Sequence, residues 1–242
     1  MIPKITLSIL VLLSMTGLLF NRSKEVDACP SGARVLEIGE FHGKEVDAQT
    51  GEKWLGLHIS SDGSMLLNYQ VTVEAFHDSI VDEPEKKTGK KVSVDLPLEP
   101  VFLVEAEGLN AGQVKTVFQG SHENALERTS PVTLKLADIS YELKVVSPEG
   151  VENCSDEKLP KNAKLVLASA ESTQTLYSLE DCGNDPRWLL LWAGDLDGDG
   201  RLDLYISVNQ HYNVSEKKLF LSSKAIEGRL VVEVAEFVTS GC

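Results

Sequence analysis

The sequence predicts an all-β fold, and three observations support that prediction. Apolar side chains occupy every second position over 65–76, which is the period of a half-buried strand. Glycine-containing turns such as 108–112 separate runs of this kind. Helical periodicity is scarce. The apolar face of the first run holds Met65, Leu67, Tyr69, Val71, Val73 and Ala75, and further strand patterns occupy 101–104, 114–118, 132–136, 141–145, 164–168, 173–179, 188–193, 202–208, 218–222 and 230–238.

One of these strands is apolar on both faces and is predicted to lie centrally. Residues 188–192 read WLLLW, a pattern typical of a strand covered from both sides. Trp188 and Trp192 are predicted to share one face of it. We interpret both as core residues in preference to an aromatic ligand platform.

The predicted architecture is sandwich-like or a mixed β-meander. Residues 147–163 are polar, hold two prolines and a glycine, and form the best candidate for a connection between units. An N-terminal β-rich unit then covers 29–146 and a C-terminal β unit covers 164–242. The alternative is that they form two halves of one sandwich. A full β-propeller is not expected, because it needs several related blades and no fixed-period repeat is visible.

Residues 1–28 are predicted to be a secretory signal peptide. Lys4 supplies a basic start, residues 5–20 are largely apolar, and residues 26–28 offer a cleavage site before Cys29. The apolar stretch is short for a membrane span, which needs about 20 residues. Two alternatives stay open: an uncleaved N-terminal anchor, and a lipoprotein acylated at Cys29. The predicted localisation is secreted or periplasmic.

Composition and charge narrow the class of partner. The apolar fraction of 42% is typical of a globular protein, and the net charge of −14 argues against nucleic acid as a ligand. No membrane contact is predicted beyond the N-terminal anchor named above. The cysteines lack the spacing of a zinc site, so two disulfides are predicted, with all three pairings open. The four cysteines are Cys29, Cys154, Cys182 and Cys242.

The clearest chemical signal is the segment 195–203, which reads DLDGDGRLD. Its aspartates fall at positions 1, 3, 5 and 9, where a tightly curled chain can bring them together around a hard cation. Gly198 and Gly200 permit that curl. Without a cation, the crowded carboxylates would repel one another. The predicted ligands are the side chains of Asp195, Asp197, Asp199 and Asp203 and the main-chain carbonyl of Arg201.

Calcium is the predicted cofactor at this loop. An EF-hand is excluded, because it needs a glutamate at position 12 and a helix on each side, whereas position 12 is Ile206 here and strands are predicted on both sides of the loop. Magnesium is disfavoured, because it prefers near-ideal octahedral geometry and retains several waters.

The loop resembles the calcium loop of FG-GAP/VCBS-type repeats, which occur in integrin-like β-propellers and in many secreted bacterial proteins. The resemblance rests on residues 195–204 and the strand that follows them. It implies that the four aspartates are side-chain ligands of calcium, with Asp203 making the stronger final contact. This chain has a single such loop, so the adhesion role of the propeller proteins is not transferred to it.

No catalytic residue and no organic cofactor is predicted. The five histidines show no metal spacing, and neither H-E-x-x-H nor G-x-S-x-G occurs. The tip 211–213 is predicted to lie roughly 20 Å from the metal loop, at about 3.3 Å per residue along the strand. We predict an exported, calcium-stabilised β-protein that acts as a non-enzymatic binding or envelope-associated module for a protein or glycan ligand. The alternative is a secreted or periplasmic hydrolase with a structural calcium.

Overall fold

The computed structural model describes residues 32–120, 125–127, 130–148, 159–226 and 228–241. The predicted signal peptide and three of the four cysteines, Cys29, Cys154 and Cys242, lie outside these ranges. The all-β prediction is confirmed, because the described residues form fifteen strands and no helix. None of these residues forms a helix able to cross a membrane.

The fifteen strands are numbered in chain order. They are β1 (Arg34–Leu36), β2 (Gly39–Phe41), β3 (Lys53–Ser60), β4 (Gly63–Phe76), β5 (Gly89–Val94), β6 (Leu103–Glu105), β7 (Gly112–Gln119), β8 (Val132–Leu136), β9 (Ile139–Val146), β10 (Lys164–Ala168), β11 (Thr173–Ser178), β12 (Arg187–Asp195), β13 (Asp203–Asn209), β14 (Val214–Leu221) and β15 (Val232–Ser240).

Most strands belong to one curled antiparallel sheet. Its order is β1-β6-β3-β4-β7-β12-β13-β14-β15, and its first strand lies against its last, so the sheet forms a nearly closed barrel. β5 pairs with the second half of β4, and β2 pairs with β5. A second, four-stranded sheet has the order β11-β10-β9-β8. This arrangement is not a propeller, since no blade is repeated around an axis.

The two sheets contain strands from both sides of residues 147–163. β7 pairs with β12 in the large sheet, and β9 pairs with β10 in the small one. Hydrogen-bonded ladders therefore connect the two units into which the sequence was divided.

Two hydrophobic cores share the strands β12, β13 and β14. Trp192, Tyr205 and Leu219 point into the barrel, while Trp188 and Ile206 pack beneath the small sheet. Both faces of these strands are thus buried, which explains why residues 188–192 are apolar throughout.

The prediction that the two tryptophans share a face is wrong. A β-bulge between Leu190 and Trp192 adds one residue to β12, so the side chains beyond it change face. Trp188 therefore enters the core beneath the small sheet and Trp192 enters the barrel. Both are at most 1% exposed, so their interpretation as core residues is confirmed.

Strand β4 also changes its buried face along its length. Leu66 is buried and Met65 is 42% exposed, whereas Tyr69 and Val71 are buried as predicted. The change follows the neighbours of the strand, because β7 pairs with its beginning and β5 with its end. A uniform alternation from Met65 onward therefore describes only the second half of β4.

Candidate metal centre

The acidic segment forms the connection between β12 and β13, as the sequence predicts. Gly198 and Gly200 both have a φ of 80°. Side-chain-bearing residues rarely adopt this left-handed conformation, so glycine at these positions allows the chain to curl. Space is not the reason, because a Cβ atom at either glycine would meet no atom within 4 Å.

Three carboxylates of this loop converge. Asp195, Asp197 and Asp203 each offer an oxygen atom, and these atoms all lie within 4.8 Å of one another. Oxygens bound to a common calcium ion at about 2.3–2.6 Å can be separated by up to about 5 Å. The cluster could therefore hold a metal ion.

Backbone amides of the loop orient two of these carboxylates. Asp195 accepts hydrogen bonds from the amides of Gly198 (2.8 Å) and Gly200 (3.1 Å). One oxygen of Asp197 accepts from the amide of Asp199 at 3.1 Å. The other oxygen, Oδ2, is buried and has no hydrogen-bond partner among the described residues. A buried carboxylate oxygen without a partner is costly unless a cation or water meets it.

Asp203 is the buried anchor of the cluster, with 0% exposure. Its carboxylate accepts hydrogen bonds from the amide of Leu196 (2.7 Å) and from the amide (2.8 Å) and hydroxyl (2.9 Å) of Ser222. Burial raises the pKa of Asp203 to about 7, and the nearby Asp197 carboxylate adds to the rise, while the hydrogen bonds oppose it. A bound cation would favour the charged form and counter this rise.

The structure places the other two predicted ligands differently. The Asp199 carboxylate accepts hydrogen bonds from the Arg201 amide (2.8 Å) and guanidinium (2.9 Å) and from the Ser222 hydroxyl (3.1 Å). It is not a member of the convergent group of three. The Arg201 side chain is an ion-pair partner of Asp199. Coordination by Asp199 and by the Arg201 carbonyl stays a prediction.

Ser222 is a site residue that sequence reasoning missed. It follows β14, is fully buried, and donates to both Asp203 and Asp199. It lies 19 residues after Asp203 and belongs to no motif, so only the pairing of β13 with β14 brings it to the loop. Through Ser222 the acidic loop 195–203 is connected to the end of the next hairpin.

A second cluster of titratable groups lies away from the loop. His42 follows β2, and its Nδ1 is hydrogen-bonded to the buried carboxylate of Asp78, which follows β4. The hydrogen bond to Asp78 raises the pKa of His42, and the Glu45 carboxylate contributes in the same direction. The same bond lowers the pKa of Asp78.

The His42–Asp78 pair is expected to stabilise the fold most between about pH 4 and pH 6.5. The contribution of His42, whose folded pKa is raised, is full below the unfolded value and is lost as the pH rises through the folded value. The contribution of Asp78, whose folded pKa is lowered, is lost as the pH falls through that value. Urea unfolding at pH 5.5 and pH 8.5 should show that His42→Asn costs more stability at the lower pH.

The half-buried His58 provides the control for this measurement. Its only described side-chain hydrogen bond is a long one of 3.4 Å to the carbonyl of Glu99. We expect His58→Asn to have the same small effect at both pH values. Equal losses for His42→Asn at pH 5.5 and pH 8.5 would contradict the assigned ion pair.

No protein-family model matches the chain, and no curated protein or solved structure is significantly similar to it. The fold and the site therefore define the class. It is an all-β protein with a nearly closed antiparallel sheet, a second small sheet, and a buried aspartate cluster that could hold a metal ion.

Proposed function

We propose that the cluster of Asp195, Asp197 and Asp203 binds Ca²⁺, and that the protein is an exported, calcium-stabilised β-protein with a binding role. Calcium suits the donor set, because hard carboxylate oxygens are its preferred ligands and its coordination geometry is tolerant. Zinc would favour nitrogen or sulfur donors, which the cluster lacks. The resemblance of the loop to the FG-GAP/VCBS calcium motif supports the same choice.

The calcium proposal rests mainly on the Oδ2 atom of Asp197, which is buried and has no hydrogen-bond partner among the described residues. Hydrogen bonds from the loop amides account for both oxygens of Asp195 and for Oδ1 of Asp197. The amides of Leu196 and Ser222 account for both oxygens of Asp203. The remaining buried oxygen lies within a group whose ligand atoms converge. A cation at that point satisfies it and screens the repulsion among the three carboxylates.

The proposed role of calcium is to hold the β12–β13 connection against the end of β14. Asp203 joins the start of β13 to Ser222, and Leu196 of the same connection is buried against the barrel core. Calcium at this position would neutralise the negative charge of Asp203, which is costly to bury. We assign it no catalytic step.

Export is supported by the oxidised state of Cys182, which is disulfide-bonded. Disulfides form and persist in secreted and periplasmic proteins and are rare in the cytosol. The signal-peptide pattern of residues 1–28 supports the same compartment. Residues 1–28 and the other cysteines lie outside the described part of the chain.

Isothermal titration with CaCl₂ and thermal unfolding test the calcium proposal together. Calcium at 100 times its dissociation constant should stabilise the fold by about 2.7 kcal/mol. For a domain of this size, that corresponds to a rise of about 5–10 °C in Tm. Asp197→Asn should weaken calcium binding by about tenfold or more, because calcium affinity follows the charge of the ligands.

Asp47→Asn is the matched control for this titration. Asp47 is exposed and lies outside the converging group, and its substitution removes the same charge as Asp197→Asn does. It should bind calcium as the wild-type protein does. The calcium proposal fails if the wild-type Tm is the same in CaCl₂ and in EDTA, or if Asp197→Asn and Asp47→Asn respond alike.

A further inference from the structure

A cleft of about 690 Å³ lies at the opposite end of β13 from the metal loop. Its walls come from the ends of β2 and β4 on one side, and from the β13–β14 connection and the end of β15 on the other. The mouth of a β-barrel is a common place for ligand sites. The histidine–aspartate pair and the 211–213 tip, far apart in sequence, meet in this cleft.

The lining of the cleft disfavours anionic ligands. Its described residues include no lysine and no arginine, and they include the carboxylates of Glu40, Glu45 and Asp78. The whole chain is also acidic, with a net charge of −14. A phosphate or a carboxylate would meet no cation here other than a protonated His42.

The carboxylates of the cleft are already engaged, which disfavours a cationic ligand as well. Glu45 accepts from the amide and hydroxyl of Ser240, both at 2.6 Å, and from the amide of His42 at 2.9 Å. Asp78 is bonded to His42 and to the amide of Ile80. Glu40 pairs with Lys91 at 3.0 Å. A neutral ligand rich in hydroxyl groups fits the remaining amide, hydroxyl and imidazole groups.

Tyr212 presents an aromatic face at the rim of the cleft. It is 67% exposed, yet the chain holds it in place: its amide donates to the carbonyl of Asn184 at 2.9 Å, and its ring lies 4.5 Å from that of His211. His211 in turn contacts the Asn184 side chain at 2.9 Å. An exposed ring that is fixed in this way loses little conformational entropy when a ligand packs on it.

We propose that this cleft binds a neutral saccharide, with Tyr212 packing against the apolar face of a sugar ring and His42 hydrogen-bonding a hydroxyl. Asp78 holds Nδ1 of His42 and thereby leaves Nε2 for the ligand. Asp78 is only 4% exposed and is itself held by the amide of Ile80, so the imidazole is preorganised. The site is independent of the metal loop, which lies at the other end of β13.

Saturation-transfer NMR and isothermal titration of the calcium-saturated full chain test this proposal. The probes are cellotriose, maltotriose and triacetylchitotriose, and trilysine represents a cationic ligand. We expect at least one trisaccharide to bind with a Kd at or below about 1 mM and trilysine not to bind. Tyr212→Ala should weaken that binding about tenfold or more. His42→Gln should weaken it also.

Ile226→Ala is the matched control, because Ile226 is 67% exposed like Tyr212 and does not line the cleft. It should bind the trisaccharide as the wild-type protein does. Circular dichroism checks that each variant is folded. If His42→Gln fails to fold, Tyr212→Ala still tests the proposal, because the exposed Tyr212 is not needed for folding. Binding of trilysine alone, binding of none of the probes, or trisaccharide binding unchanged by Tyr212→Ala would each overturn the proposal.

Discussion

Asp203→Ala is expected to lower the unfolding free energy by about 3 kcal/mol in the absence of calcium and by more in its presence. The substitution leaves two buried donors without an acceptor, the amides of Leu196 and Ser222. The Ser222 hydroxyl keeps the Asp199 carboxylate as its acceptor. Each unsatisfied buried donor costs about 1–3 kcal/mol, and relief of the buried charge of Asp203 offsets part of the sum. In calcium the wild-type protein also gains binding energy that the variant lacks.

Urea unfolding in EDTA and in CaCl₂ measures both parts of this expectation. Asp203→Asn is the informative companion, because it keeps one acceptor oxygen in the same position and removes the charge. In EDTA, we expect its free energy of unfolding to lie between those of the wild-type protein and Asp203→Ala. Calcium should stabilise Asp203→Asn only slightly. A loss below about 1 kcal/mol for Asp203→Ala would show that this carboxylate does not anchor the loop.

Trp192→Ala is expected to destabilise the protein by about 3–5 kcal/mol, because it opens a large cavity in the barrel core. Trp192 is 0% exposed, packs edge-on against Phe102 at 6.2 Å between ring centroids, and donates from Nε1 to the Thr116 hydroxyl at 2.9 Å. β12 also borders the second core, so a collapse of the strand around the cavity would disturb both cores.

Trp192→Phe separates the cavity from the hydrogen bond. Phenylalanine retains an aromatic ring in the barrel and loses the bond to Thr116, so a smaller cost of about 1–2 kcal/mol is expected. Chemical denaturation followed by circular dichroism gives both values, and Ile226→Ala should fall within about 0.5 kcal/mol of the wild-type protein. If Trp192→Ala cost no more than Trp192→Phe, the packing assigned to the indole ring would be wrong.

Most strand positions and the acidic loop 195–203 could be predicted from neighbouring residues alone, although the patterns missed the strands β1, β2, β3 and β5. The alternation of apolar and polar residues along 65–76 indicates a strand, because successive side chains of a pleated backbone point to opposite faces. The spacing of the four aspartates predicts that their carboxylates converge, because the glycines between them let the chain curl locally. Three of the five predicted ligands, Asp195, Asp197, Asp203, meet in the structure, all within one short segment.

Features that depend on pairing between distant strands could not be predicted in this way. The bulge in β12 sends Trp188 and Trp192 into different cores, and it is defined by the register of β12 against β13. The change of buried face in β4 follows a change of neighbouring strand. An alternation pattern specifies neither the register in which a strand pairs nor which strand lies beside it.

By itself, the sequence determined that this protein is built of strands and where its carboxylates crowd together, because those properties arise between residues a few positions apart. The tertiary structure alone decided that the sheet curls into a nearly closed barrel, that Ser222 reaches the acidic loop from 19 residues away, and that His42 meets Asp78 across 36 residues. Such encounters follow from the order and register of strands in the whole sheet, which no local pattern specifies.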